Sequence, residues 1–186
     1  MKYLLPFFSV FFFSLVLSGC GSSDVTLLNE VKRFEPEWTR LSATVTTVKS
    51  NLALTEAYES HLSEIEPYLS QLRTSTRSDL ADMRSRYRNM MVTRDTIRSR
   101  YQKELIRFEE EVSGFNNWVN DLMQENVDQQ TARVTFDQYE RTYGAIRDVM
   151  DELYHQTVSN IEMHNMLMRR MAAAVKLYGN YEISVR

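Results

Sequence analysis

The chain has 186 residues, 22 Lys+Arg against 25 Asp+Glu, and a formal net charge of −3. That balance gives no general electrostatic case for a nucleic-acid or anionic-lipid binder, and a single cysteine excludes an intrachain disulfide framework. Five glycines and three prolines allow few turns, while abundant Leu, Met, Arg, Glu and Gln favour helix over strand.

The first element is an apolar run. Behind Lys2, residues Tyr3 to Val16 are almost unbroken hydrophobics, followed by Leu17-Ser18-Gly19-Cys20, which holds the only cysteine. A short charged start, an apolar stretch of this length and small residues at its end form a signal-peptide pattern, too short for a comfortable membrane span. The last four residues resemble the lipobox of bacterial lipoproteins: Leu, a small residue, Gly or Ala, then Cys. The resemblance covers only the first twenty residues. It implies removal of residues 1–19, acylation of Cys20, and a membrane partner reached through that lipid. It also implies sorting by the residue after the cysteine. Gly21 is not the aspartate that retains enteric lipoproteins in the inner membrane, so the expected location is the periplasmic face of the outer membrane. In a Gram-positive host it would be the outer face of the single membrane.

Gly21 to Asp24 form a short tether, with Asp24 placed to cap a helix. From there Leu27, Val31, Phe34, Trp38, Leu41, Val45, Val48 and Leu52 alternate spacings of four and three, the seam of a helix packed lengthwise on others. Pro36 lies inside this stripe, either kinking the helix or opening a new first turn at Glu35. The stripe resumes at Tyr58, Leu62, Ile65, Leu69 and Leu72 after a phase slip near Thr55. The Thr74–Asp79 cluster is turn-like.

A second helix carries Leu80, Met83, Tyr87, Met90, Ile97, Tyr101, Phe108, Phe115 and Leu122. Met83-Arg-Ser-Arg-Tyr87 recurs fourteen residues later as Ile97-Arg-Ser-Arg-Tyr101. Two heptads separate the copies, so both turn the same apolar pair inward. After a polar break at 125–133, Thr135 and Gln138 read as a capping box with Val134 and Tyr139 as the staple. The third stripe runs Phe136, Tyr139, Tyr143, Ile146, Met150, Leu153. It then moves over by one to Val158, Ile161, Met168 and Val175, an eleven-residue spacing. Gly179-Asn180 is a helix stop, and 179–186 form a short tail.

Charge favours a reversal near residue 75. Arg73 to Arg107 hold ten basic and four acidic residues, whereas Phe108 to Asp128 hold six acidic and none basic. Setting residue i opposite 150 minus i brings Glu56, Glu59, Glu64 and Glu66 to Arg84, Arg86, Arg88 and Arg94. It also brings Lys32, Arg33 and Arg40 to Glu109, Glu110 and Glu111. The expected fold is all-α, an elongated antiparallel three-helix bundle with coiled-coil-like heptad packing. Its helices span about 25–72, 79–126 and 136–178, each roughly 70 Å long. The alternative is a long helical rod dimerising through its seam.

Chemistry-bearing patterns are sparse. Glu152-Leu-Tyr-His155 has the spacing of a di-metal helix motif, but no second copy exists. His164, Met168 and Met171 share a helix face and have suitable donors for Cu(I), yet methionine is also the flexible filler of helical cores. Core packing is the preferred reading, and no cofactor or metal is expected. With no spare cysteine, no phosphate loop and no glycine-flanked serine, no catalytic residue is assigned. The expected role is a non-enzymatic scaffold or accessory subunit, holding a helical surface for an envelope protein at the end far from the lipid. No nucleic-acid partner is expected, and self-association is compatible with the seams. The alternatives are a Met/His-rich metal- or ligand-binding module and a holdase-like chaperone.

Overall fold

The computed structural model describes residues 25–72 and 77–179. The signal-peptide run, the lipobox Leu17-Ser18-Gly19-Cys20, the Asp24 cap and the tail after Gly179 lie outside the described residues. Every described element is a helix: α1 (Val25–Leu54), a 3-10 turn (Thr55–Ala57), α2 (Tyr58–Ser70), α3 (Arg77–Met123) and α4 (Gln129–Gly179). The fold is all-α. Pro36 sits within α1, and Pro67 within α2. Each ring removes one backbone donor without ending its helix.

Interhelical pairs fix the directions. Arg84 of α3 reaches Glu66 of α2 at 2.6 Å, Tyr87 reaches the Tyr58 carbonyl, and Tyr101 reaches the Val45 carbonyl. Partners on α1 and α2 therefore fall in number as those on α3 rise, close to the expected register of i opposite 150 minus i. Among the described residues, these contacts set α3 antiparallel to α1 and α2. Against α4, by contrast, α1 and α2 run parallel. Glu30 pairs with Arg133, Asn51 bonds Thr157 at 3.1 Å, and the Tyr58 ring stacks on His164.

Half of the expected charge matching is present. Arg84–Glu66 and Arg94–Glu59 join α3 to α2 within the expected set, and Arg98–Glu56, outside that set, joins α3 to the 3-10 turn. Among the described residues, however, Lys32, Arg33 and Arg40 make no ion pair with Glu109, Glu110 or Glu111. Arg40 turns to Glu37 on its own helix, one turn away. Exposed pairs of this kind contribute only about 0.2–1 kcal/mol each, so a same-helix partner competes easily.

Two apolar clusters form the core. The first, at the end where α1 begins, is aromatic: Phe34 lies 5.8 Å from Phe115, 5.5 Å from Phe136 and 5.1 Å from Tyr143, each edge-on. Such T-shaped pairs set the positive ring edge against a neighbour's negative face. The second, at the α2 end, is methionine-rich, joining Met83, Met90, Met168 and Met171 to Ile65, Leu69 and Leu167. Unbranched thioethers fill the less regular space there.

The slip near Thr55 has a physical form. Buried positions Leu52, Thr55 and Tyr58 follow at two successive spacings of three, where a heptad requires a three and a four. Two threes overwind a helix, and the chain meets this with a 3-10 turn at three residues per turn. The tandem repeat of α3 makes the loss visible. Tyr87 and Tyr101, fourteen residues apart, donate to the carbonyls of Tyr58 and Val45, which are thirteen apart.

The connection to α4 differs from the capping box at Thr135. Glu125 adopts a left-handed φ of 56°, Asn126 donates to the Asp121 carbonyl and Glu125 to the Leu122 carbonyl, a Schellman ending for α3. Asp128 then caps α4 through the Thr131 N–H at 3.0 Å, so α4 is already under way at Thr135. An aspartate three residues ahead of a free N–H serves as well as threonine and comes first in the chain.

Candidate functional site

Between the two apolar clusters lies a belt of buried polar side chains. The apolar stripe of α4 does not shift at Met150. The buried positions continue at the same heptad spacing through Thr157, Asn160 and His164, with relative exposures of 1, 6 and 4%. Of the expected seam, Val158 and Ile161 are only half-buried, while Met168 and Val175 are buried. The seam keeps its phase and becomes polar. On α3 the same happens at Arg94, exposed by 6%, which fills the gap between Met90 and Ile97.

Each member of the belt is placed by the elements above. Thr55, at the 3-10 turn, donates its hydroxyl to the Leu52 carbonyl at 2.6 Å. Arg94 reaches from α3 to the Thr55 carbonyl at 3.4 Å, to Glu59 at 3.4 Å and to its neighbour Asp95 at 2.7 Å. A guanidinium presents five donors, and these three acceptors offset the loss of water around a buried cation. Asn160 donates to the Met90 carbonyl at 3.0 Å, while its Oδ1 has no protein partner.

His164 is the centre of a directed chain. Its Nε2 lies 3.1 Å from His61 Nδ1, and its Nδ1 lies 3.1 Å from the Tyr87 hydroxyl. The Tyr87 O–H is 2.6 Å from the Tyr58 carbonyl, which can only accept. The tyrosine proton therefore points at that carbonyl, and its oxygen accepts from His164 Nδ1–H. A neutral His164 then has a bare Nε2, which accepts from His61 Nδ1–H. The direction is fixed from one end by a backbone group: His61 donates to His164, His164 to Tyr87, and Tyr87 to the Tyr58 carbonyl. The Tyr58 ring lies flat on the His164 ring, with centroids 3.6 Å apart and planes within 1°.

Electrostatics keep His164, Tyr87 and Tyr58 uncharged at physiological pH. Burial, aided by the neighbouring His61 imidazole, pulls the His164 pKa down to about 4. Burial raises the hydroxyl pKa values of Tyr58 and Tyr87, which keeps both protonated. The arrangement can hold a proton in a fixed direction.

The Met/His face is only partly as expected. His164, Met168 and Met171 are all buried, but the two thioethers pack in the methionine-rich cluster. Both His164 nitrogens are engaged by His61 and Tyr87. Among the described residues no group of three or more His, Cys, Asp or Glu side chains is placed to hold a metal ion. Glu152 and His155 lie on the surface, where Glu152 takes both Arg100 amines, at 2.8 and 2.6 Å. His61, Arg94, Thr157 and Asn160 lie outside the apolar stripes, Arg94 leaving only a gap at its position, while Tyr87 lies in the α3 stripe, which does not disclose the role of its hydroxyl.

Beside the belt, Glu59, Leu62 and Ser63 of α2 and Arg88, Met91 and Val92 of α3 line an open groove with Tyr87 at its floor. Among the described residues no helix is long and apolar enough to cross a membrane. Comparison with protein-family models, curated proteins and solved structures gives no match.

Proposed function

We propose that this chain is a non-enzymatic, lipid-anchored envelope protein that acts as a scaffold or accessory subunit. It is an elongated antiparallel three-helix bundle with coiled-coil-like packing, tethered through Cys20 and offering its far end to a protein partner. The observation that carries the anchor is the sequence Leu17-Ser18-Gly19-Cys20 behind its apolar run, followed within a few residues by α1. The bundle reading is supported by the regular registers of α3 against α1 and α2, and of α4 against all three.

Two features support a partner at the far half. The groove between α2 and α3 combines the apolar Leu62, Met91 and Val92 with the charges of Glu59 and Arg88. On α4, Met163 and Met166 expose about 40% of their surface to solvent. Apolar side chains rimmed by charge suit a helical protein segment.

Labelling with radioactive palmitate in a bacterial host tests the anchor. Wild type takes the label, and Cys20→Ala does not. Equal labelling of both removes the anchor. Purification of the lipidated protein from its native envelope, compared with a Leu62→Glu/Val92→Glu variant, tests the surface. A partner retained by wild type is lost with the variant, and retention by both would place the interface elsewhere.

A further inference from the structure

We propose that His61 and His164 form an acid-operated latch, which holds α2 against α4 until both imidazoles are protonated and then lets α2 swing out about the 3-10 turn at Thr55–Ala57.

The proton count across the pair is asymmetric. In the neutral pair one proton bridges His61 Nδ1 and His164 Nε2 across 3.1 Å. A proton placed on the outer nitrogen of the half-buried His61 leaves the His164 Nε2 acceptor in place. The bridge survives, now charge-assisted. A second proton has one place to go, because His164 Nδ1 already carries the proton given to Tyr87. On His164 Nε2 it sets two N–H groups and two like charges face to face in a poorly hydrated site. No acceptor is left between them, and the contact must open.

The surroundings oppose the second proton rather than accommodate it. From α2 the pair faces Tyr58, with the carboxylates Glu59 and Glu64 within one turn of His61, and from α3 it faces Tyr87, whose hydroxyl feels the charge of Arg94. Glu59 is drawn to Arg94. On α4 the residues one turn either side, Asn160, Ile161, Leu167 and Met168, are all uncharged. The His164 pKa of about 4 therefore sets the release well below the ordinary imidazole range.

The element that yields is identifiable. The second helix, α2, is a short segment of thirteen residues held by three buried side chains, Tyr58, Ile65 and Leu69. It is joined to α1 by a 3-10 turn, where hydrogen-bond geometry is poorer than in an α-helix. Few buried contacts on a short segment are the physical mark of local opening before global unfolding. Release of α2 uncovers the methionine-rich cluster of α3 and α4.

Hydrogen exchange of the purified protein, followed by mass spectrometry at pH 7.5 and pH 4 with intrinsic rates corrected, tests the latch. Protection in residues 58–70 is expected to fall at least ten-fold more than in residues 31–52 or 97–122. His61→Gln retains a donor for His164 Nε2 without a titrating charge, and its α2 is expected to stay protected at pH 4. His164→Gln is expected to behave likewise if it folds. Equal loss in all helices of the wild type, an α2 that stays protected at pH 4, or wild-type opening in His61→Gln would each overturn the proposal.

Discussion

Replacing Tyr87 with phenylalanine removes one oxygen from the middle of the molecule, breaks two hydrogen bonds and strands one donor. The hydroxyl donates to the Tyr58 carbonyl at 2.6 Å and accepts from His164 Nδ1–H at 3.1 Å, and the Tyr87 side chain has no exposed surface. The carbonyl keeps its intrahelical bond, but the imidazole N–H is left buried without an acceptor. One lost hydrogen bond plus one stranded donor costs about 2–3 kcal/mol. The other copy of the repeat is an internal control. Tyr101 makes a single bond of 3.4 Å to the Val45 carbonyl, near the limit of useful geometry, and its loss costs roughly 0.5 kcal/mol. With a urea slope of about 2 kcal/mol/M, Tyr87→Phe lowers the midpoint by about 1 M and Tyr101→Phe by about a quarter of that. Paired urea melts at pH 7.5 read the difference directly. Equal shifts, or a larger one for Tyr101→Phe, would refute the directed chain through His164.

Further expectations concern the belt and the α3–α4 connection. The folded state depresses His164 from 6.5 to about 4, so its neutral form stabilises the protein fully above pH 6.5. About 3 kcal/mol is lost as pH falls from 6.5 to 4, after which His164 makes the pH dependence flat. Urea midpoints between pH 8 and 3.5 follow this, and His164→Gln removes that portion of the slope. Asn160→Leu replaces a polar seam residue whose Oδ1 is unpartnered, and raises stability by about 1 kcal/mol at pH 7.5. A fall in the midpoint would show that the Asn160–Met90 bond outweighs the buried carbonyl. At the connection, Glu125→Gly relieves a left-handed residue and stabilises by about 1 kcal/mol. Thermal melts should also show Asp128→Ala destabilising α4 while Thr135→Ala has no effect, and the reverse order would restore the Thr135 cap.

What the sequence disclosed followed from hydrophobic period, and what it hid followed from the same reliance. The stripe from Leu27 to Leu52 and the slip at Thr55 were legible because large apolar side chains occupy nearly every seam position. The i-to-150-minus-i register was legible because glutamates and arginines are segregated along the chain. At Thr157, Asn160 and His164 the seam is polar, and an apolar-only count stepped sideways to Val158 and Ile161. Arg94 was hidden as a gap, because an isolated charge in a stripe looks like a solvated face. The histidine pair was out of reach for a different reason. His61 and His164 stand 103 positions apart, and only the parallel packing of α2 on α4 brings them together. Near-end pairing failed at Arg40 because a surface charge with a partner one turn away, here Glu37, gains little by reaching across helices.

The most direct test of the belt is the tautomeric state of its histidines. Long-range nitrogen–proton correlation spectra of 15N-histidine-labelled protein, recorded at pH 8, distinguish a protonated Nδ1 from a protonated Nε2 in each ring. The hydrogen-bond order set by the Tyr58 carbonyl predicts His164 with its proton on Nδ1 and a bare, hydrogen-bonded Nε2, and His61 likewise protonated on Nδ1. His164 found with its proton on Nε2 would contradict the account, since no chain from His61 to Tyr87 could then run in the direction described.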